Sequence, residues 1–126
     1  MADAQPATGH GIVLFAHGSR DPLWRLPIEA VARRMLELAP QVPVRCAYLE
    51  LSAPDLETAV GELLAQPLEQ ITVVPMFLGV GRHAREDLPL LMEALRARHP
   101  GVRFRLQGAI GEDARLTDMM ARIALS

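Results

Sequence analysis

The sequence predicts an α/β fold: a three-layer sandwich in which a four-stranded parallel sheet lies between helices. Three observations carry this. Four short apolar or β-branched runs alternate with four stretches whose apolar residues recur at helical spacing. Every connection between successive strands is long enough to hold a crossover helix, as parallel pairing with right-handed connections requires. The first run, Ile12-Val13-Leu14-Phe15-Ala16, is apolar without alternation, the pattern of a strand covered on both faces.

The elements follow in order. Residues 1–10 read as a disordered leader in which His10 is merely solvated, and residues 11–126 as a single domain. The first strand ends abruptly at His17, and the turn Gly18-Ser19-Arg20-Asp21-Pro22 leads into a helix from about Leu26 to Ala39. Its inner stripe is Ile28, Val31, Ala32, Met35 and Leu38 or Ala39. Pro40 and Pro43 end it. Strand two, Val44 to Leu49, is less uniformly apolar, which suits an edge position, and it ends at Glu50. Ser52-Ala53-Pro54-Asp55 has the spacing of a capping box, opening a helix that runs to about Ala65.

Strand three covers Ile71 to Leu78, with regular pairing expected to stop or bulge at Pro75, whose nitrogen carries no donor. Gly79 to Glu86 reads as a flexible, charged connection. Asp87 is placed to cap a helix with Leu88, Leu91, Met92 and Leu95 inward, ending near His99-Pro100-Gly101. Val102 to Gln107 forms strand four, Gly108 to Gly111 a turn, and Glu112 to Leu125 a last helix with Leu116, Met119, Met120 and Ile123 inward.

A chain of 126 residues that is 50% hydrophobic can enclose one core. The net charge of −2 supplies no broad basic field, so neither nucleic acid nor a membrane is expected as a partner. All 13 basic residues are arginine. Without lysine, Schiff-base chemistry, a phosphate-loop lysine and the kinase strand lysine are excluded. Cys46 is alone, which rules out an internal disulfide and a cysteine cluster. The first residues carry an acid where a secretion signal needs a positive charge, which points to the cytoplasm.

Ligands of open parallel sheets bind outside the carboxyl ends of the strands. His17 follows strand one, Glu50 ends strand two and His83 lies just beyond strand three. In the flavodoxin-like order 2-1-3-4, strand one stands between the other two, about 4.8 Å from each. The three side chains would then face one crevice. Two imidazoles and a carboxylate suit a first-row divalent ion and suit proton abstraction equally. The plainer alternatives are a turn histidine and a solvated or helix-capping glutamate. Arg20, Arg82 and Arg85 make this edge locally positive, either as solvated loop charges or as forks for a substrate rich in carboxylates.

Two motifs are set aside. Gly79-x-Gly81-x-x-Ala84 follows the third strand rather than the first, so it does not fit a dinucleotide site. Ser19 beside His17 lacks the strained elbow of a hydrolase and serves the turn instead.

Leu14-Phe15-Ala16-His17-Gly18-Ser19-Arg20-Asp21-Pro22, then Tyr48-Leu49-Glu50, then Val74-Pro75-Met76-Phe77-Leu78 leading to His83-Ala84-Arg85-Glu86-Asp87-Leu88-Pro89, resemble the successive motifs of sirohydrochlorin chelatases of the CbiX/SirB type. The resemblance implies a chelatase-like fold and ATP-independent insertion of Co²⁺ or Fe²⁺, or of Ni²⁺ as in an archaeal branch, into sirohydrochlorin, on the way to cobalamin or sirohaem. It implies that His17, His83 and Glu50 form the metal and catalytic site; one of the two histidines, with His83 the expected one, could also accept a pyrrole proton. Arg20, Arg82 and Arg85 would grip the substrate carboxylates, and Leu78 and Val80 would line the macrocycle face. The metal enters as substrate, no organic cofactor is expected, and the short forms of the family pair as homodimers. The chain departs from many relatives in having Arg82 where they carry a second glycine and Arg85 where they carry lysine. A non-enzymatic carrier of metal or tetrapyrrole on the same scaffold is the competing expectation, and a flavodoxin-like phosphate or nucleotide binder a weaker one.

Overall fold

The computed structural model describes residues 9–126. The expected leader lies, apart from its last two residues, outside the described residues. Four parallel strands, β1 (His10–Ala16), β2 (Val44–Tyr48), β3 (Gln70–Pro75) and β4 (Arg103–Leu106), form one sheet in the order β2-β1-β3-β4. Between and after them run α1 (Leu26–Leu38), α2 (Leu56–Leu63), α3 (Arg82–Arg98) and α4 (Ala114–Leu125), with short 3₁₀ turns at Pro22–Arg25 and Ile110–Glu112. The predicted class and strand order are those observed. No described helix is long and apolar enough to cross a membrane.

The sheet's two faces are unlike each other. Val13, Phe15, Ala47, Ile71, Val73 and Phe104 point to one side, where α2 (Leu56, Ala59, Val60, Leu63) and α3 (Ala84, Leu88, Met92, Leu95) close over them in a single dry cluster. Each fully buried side chain of this kind contributes roughly 1.5–3 kcal/mol. On the opposite side, α1 buries none of its residues completely, and neither does α4. Leu36 remains 58% exposed, Met119 53% and Ile123 65%. Of the expected stripes, Ile28, Ala32 and Met35 in α1 and Leu116 and Met120 in α4 are half-buried, whereas Val31, Leu38, Met119 and Ile123 stay exposed. β4 turns exposed Arg103 and Arg105 outward, so the sheet offers α4 no apolar shelf there.

Several boundaries move, each for a local reason. β1 opens at His10, which is not a solvated leader residue: its Nε2 lies 2.9 Å from Oγ1 of buried Thr72. Burial, reinforced by the Arg105 charge, pushes the imidazole pKa down. β3 ends at Pro75, although the Met76 N–H beyond it still donates to the Phe15 carbonyl at 2.7 Å. The connection expected between Gly79 and Glu86 is largely helical, because α3 starts at Arg82 with Gly81 as its cap. Asp87 is thus an interior residue. The eighth position of α3 is Pro89, on the exposed side; it forfeits one backbone bond, while burial of Ala84 and Leu88 holds the extra turn in place.

Ser52 does not cap α2. The cap is Asp55, whose Oδ1 accepts the Thr58 N–H at 2.9 Å after a cis Ala53–Pro54 bond. Hydrogen bonding to Thr58 holds the Asp55 carboxyl below its ordinary pKa. A carboxylate whose pKa is lowered by folding stabilises the fold above its unfolded pKa and ceases to do so as pH falls through the folded value. Asp55→Ala should cost about 1 kcal/mol at pH 7. Denaturant melts of wild type and variant should converge as pH falls through the acid range, and a constant gap down to the most acid melt would count against the cap.

Candidate metal centre

His17 and Glu50 meet because β1 and β2 pair in register. Ala16 stands opposite Tyr48, and the ladder continues one step further as the Leu49 N–H donates to the Ala16 carbonyl at 2.8 Å. The next residues of the two chains are forced together. His17 Nδ1 comes to 3.2 Å from Glu50 Oε1, with the two side chains 48% and 43% exposed. The imidazole rests on the buried ring of Phe77, centroid to centroid 4.6 Å.

The loops behind the pair are locked. A Cβ on Gly18 would lie 1.6 Å from the Glu50 carbonyl oxygen, so only glycine allows the approach. Leu51 turns the chain with a φ of 66°, a left-handed conformation unusual outside glycine. Ser52 then closes the gap from the other side: its hydroxyl donates to the Ser19 carbonyl at 2.8 Å and accepts the Ser19 N–H at 3.1 Å. This is the serine's role in place of a helix cap.

The structure brings two of the three expected groups together and leaves the third apart. His83 is exposed on the first turn of α3, still at the carboxyl edge but not on a loose loop. Among the described residues, no three His, Cys, Asp or Glu side chains are close enough to hold one ion. His17 and Glu50 thus form the close pair, while His83 stands on the first turn of α3. Arg20, Arg82 and Arg85 are all exposed, and Arg82 is partly neutralised by Glu86 at 3.6 Å along the same helix.

A cleft of about 460 Å³ opens beside His17, walled by Trp24, Ile28, Met76, Phe77 and Leu78. Leu78 is thus on its lining, as expected. Val80 is not; it packs half-buried against the core under α3. Trp24, Gly18 and Ser52 were not singled out as site residues by the sequence. Trp24 carried one usable signal, as the only tryptophan, three residues beyond the Asp21 of the His-Gly-Ser-Arg-Asp motif.

Chemically, the pair has the dimensions of a chelate. Metal–nitrogen and metal–oxygen bonds of about 2.1 Å spanning 3.2 Å correspond to an angle near 100° at the ion, between octahedral and tetrahedral values. Two protein ligands leave other coordination positions open.

Comparison with known proteins bears on this edge. The CbiX family model matches residues 11–124. The chain is 33% identical over 81 residues to the sirohydrochlorin cobaltochelatase of Methanopyrus kandleri, covering 64% of this chain and 57% of that protein. Among solved structures, it is similar to a cobalamin (vitamin B12) biosynthesis CbiX protein from Marinobacter aquaeolei VT8, with a TM-score of 0.80, 41% identity, and coverage of 91% of this chain and 93% of the other. It is also similar to the sirohydrochlorin chelatase SirB of Bacillus subtilis subspecies spizizenii, solved in complex with cobalt, with a TM-score of 0.70, 28% identity, and coverage of 90% of this chain and 48% of that one. The chain spans little more than half the length of the first archaeal relatives it matches.

The loop lock makes its own prediction. Gly18→Ala should destabilise by about 1–3 kcal/mol, the usual range for overpacking. Gly79→Ala, with nothing within 4 Å of the added carbon, should leave stability unchanged. Equal melting temperatures for the two variants would show that the Gly18–Glu50 contact is not tight.

Proposed function

The chain belongs to the CbiX family, and on that premise we propose that it inserts a divalent metal, Co²⁺ or Fe²⁺ and by extension Ni²⁺, into sirohydrochlorin without ATP. The observation that carries the reading is the 3.2 Å His17–Glu50 pair at the carboxyl edge, beside an apolar cleft. Metal and tetrapyrrole are both substrates in this scheme, and no organic cofactor takes part. The reading places the reaction in the cytoplasm, in keeping with a single unpaired cysteine.

His17 and Glu50 hold the ion by two bonds. So few ligands keep it exchangeable, and the ring nitrogens displace protein and water ligands stepwise; a closed four-ligand site would retain it. Insertion also removes two pyrrole protons. His83, exposed at the same edge, is the proposed acceptor of one, since a neutral imidazole is a base near neutral pH, and the other passes to solvent water. Arg20, Arg82 and Arg85 grip the peripheral carboxylates, the guanidinium fork matching a carboxylate with two parallel bonds. Leu78 supplies part of the apolar wall.

We further propose that two copies associate. Exposed apolar residues on α1 and α4, among them Leu36, Leu38, Met119 and Ile123, give each chain an apolar surface that one chain leaves in water. A second copy is also in keeping with SirB, whose chain is about twice the part this chain covers.

The test is an insertion assay with Co²⁺, Fe²⁺ and Ni²⁺ in parallel. His17→Ala should lose about 100-fold in rate together with metal affinity. His83→Ala should lose about 100-fold in rate and keep its Co²⁺ affinity, as removal of a proton acceptor does. Wild-type rates in both variants would end this assignment. Stoichiometric binding of metal and tetrapyrrole with no acceleration of insertion would favour a carrier instead. Light scattering should give twice the chain mass for wild type and the chain mass for Ile123→Glu; a wild-type monomer at assay concentration would exclude the pairing.

A further inference from the structure

Trp24 is left unexplained by the metal pair and the arginine rim. It is the only tryptophan in the chain, and it stands 53% exposed. Leaving the largest aromatic side chain half in water forgoes much of the apolar area it could bury. Its position is nevertheless fixed at both ends. The 3₁₀ turn that carries it is capped by Asp21, whose Oδ1 accepts the Leu23 N–H at 2.9 Å, while the Trp24 N–H donates to the Asp21 carbonyl at 3.0 Å. At the far end, the indole Nε1–H donates to the backbone carbonyl of His17 at 2.9 Å.

The indole therefore ties the turn to the backbone of one of the two metal-pair residues, and its ring walls the cleft of about 460 Å³ with Ile28, Met76, Phe77 and Leu78. That volume falls within the roughly 300–1,000 Å³ of small-molecule sites. Phe77 has its ring against His17 and also lines the cleft, so a flat aromatic ligand entering there meets aromatic surface next to the imidazole. Planar π-systems favour offset or edge-to-face contact with such surfaces.

We propose that Trp24 contacts the substrate and positions His17: its ring forms a wall for the planar tetrapyrrole, and its N–H holds the His17 backbone in register with Glu50. This rests on the metal-insertion reading above and goes beyond it by naming a residue that couples macrocycle binding to the metal pair. The two roles separate by substitution. Trp24→Phe retains a ring and loses the N–H; Trp24→Leu loses both. In the full-length protein, Trp24→Leu should raise KM for sirohydrochlorin about tenfold, whereas Trp24→Phe should keep KM within about twofold and lower kcat about threefold to tenfold, the mark of misplacement rather than lost binding. Calorimetry with Co²⁺ alone should show a weaker affinity in both variants, because each loses the N–H that holds His17 in register with Glu50.

A wild-type KM in Trp24→Leu would overturn the wall. A wild-type kcat in Trp24→Phe would overturn the positioning role. Conversion of Trp24→Leu to a monomer, measured by light scattering, would assign the ring to contact between copies and likewise overturn the proposal. Failure of the underlying reading is distinct from all of these: wild-type protein itself would neither bind sirohydrochlorin nor accelerate insertion.

Discussion

The functional edge depends on one close approach, the backbone of Gly18 lying against the carbonyl of Glu50. Parallel pairing brings β1 and β2 side by side, but a side chain at position 18 would drive the following loops apart. With that space free, the ladder runs on to Leu49, and Ser52 ties the two loops together through both polar backbone groups of Ser19. His17 and Glu50, 33 residues apart in sequence, acquire their 3.2 Å spacing as a consequence. The pair is exposed enough to meet a ligand and braced enough to hold its geometry, the balance that the proposed metal insertion would require.

Burial is divided unevenly between the sheet's two faces, and the division separates stability from function. α2 and α3 close one face into the core cluster, with Val13, Phe15, Ile71 and Val73 fully covered. The other face is covered by α1, which has no fully buried residue, and α4 contributes none either. The cleft beside His17 opens on this second side, between the start of α1 and the loop after β3. Apolar surface that a core would have consumed is thus available to a ligand and to a second copy.

How much of the site could be read in advance varied with the physical origin of each feature. His17 and Glu50 were legible because each interrupts or ends a strand, and strand ends in a parallel sheet share one edge. His83 was legible as a residue at that edge but not as part of a helix. Asp87 suggested a cap and a helix start there, whereas burial of Ala84 and Leu88 moves the start back to Arg82. Ser52 matched a capping box by spacing, yet its hydroxyl found better partners across the loop in Ser19. Val80 matched an apolar wall by composition and packs into the core instead. In each case a local pattern had two possible partners, and only the fold determined which was within reach.

Apolar periodicity and the lengths of the connections suffice by themselves for the class, the parallel sheet and the carboxyl-edge location of the site, because these follow from chain geometry and local sterics. The absence of lysine and the lone cysteine likewise exclude whole chemistries without a structure. Tertiary structure alone decided which polar groups meet. It paired His17 with Glu50 while leaving His83 on a separate helix, brought Trp24 to the His17 carbonyl, and left α1 and α4 without a fully buried residue. Those outcomes depend on contacts between residues distant in sequence, where a fraction of an ångström at Gly18 matters and no sequence period records it.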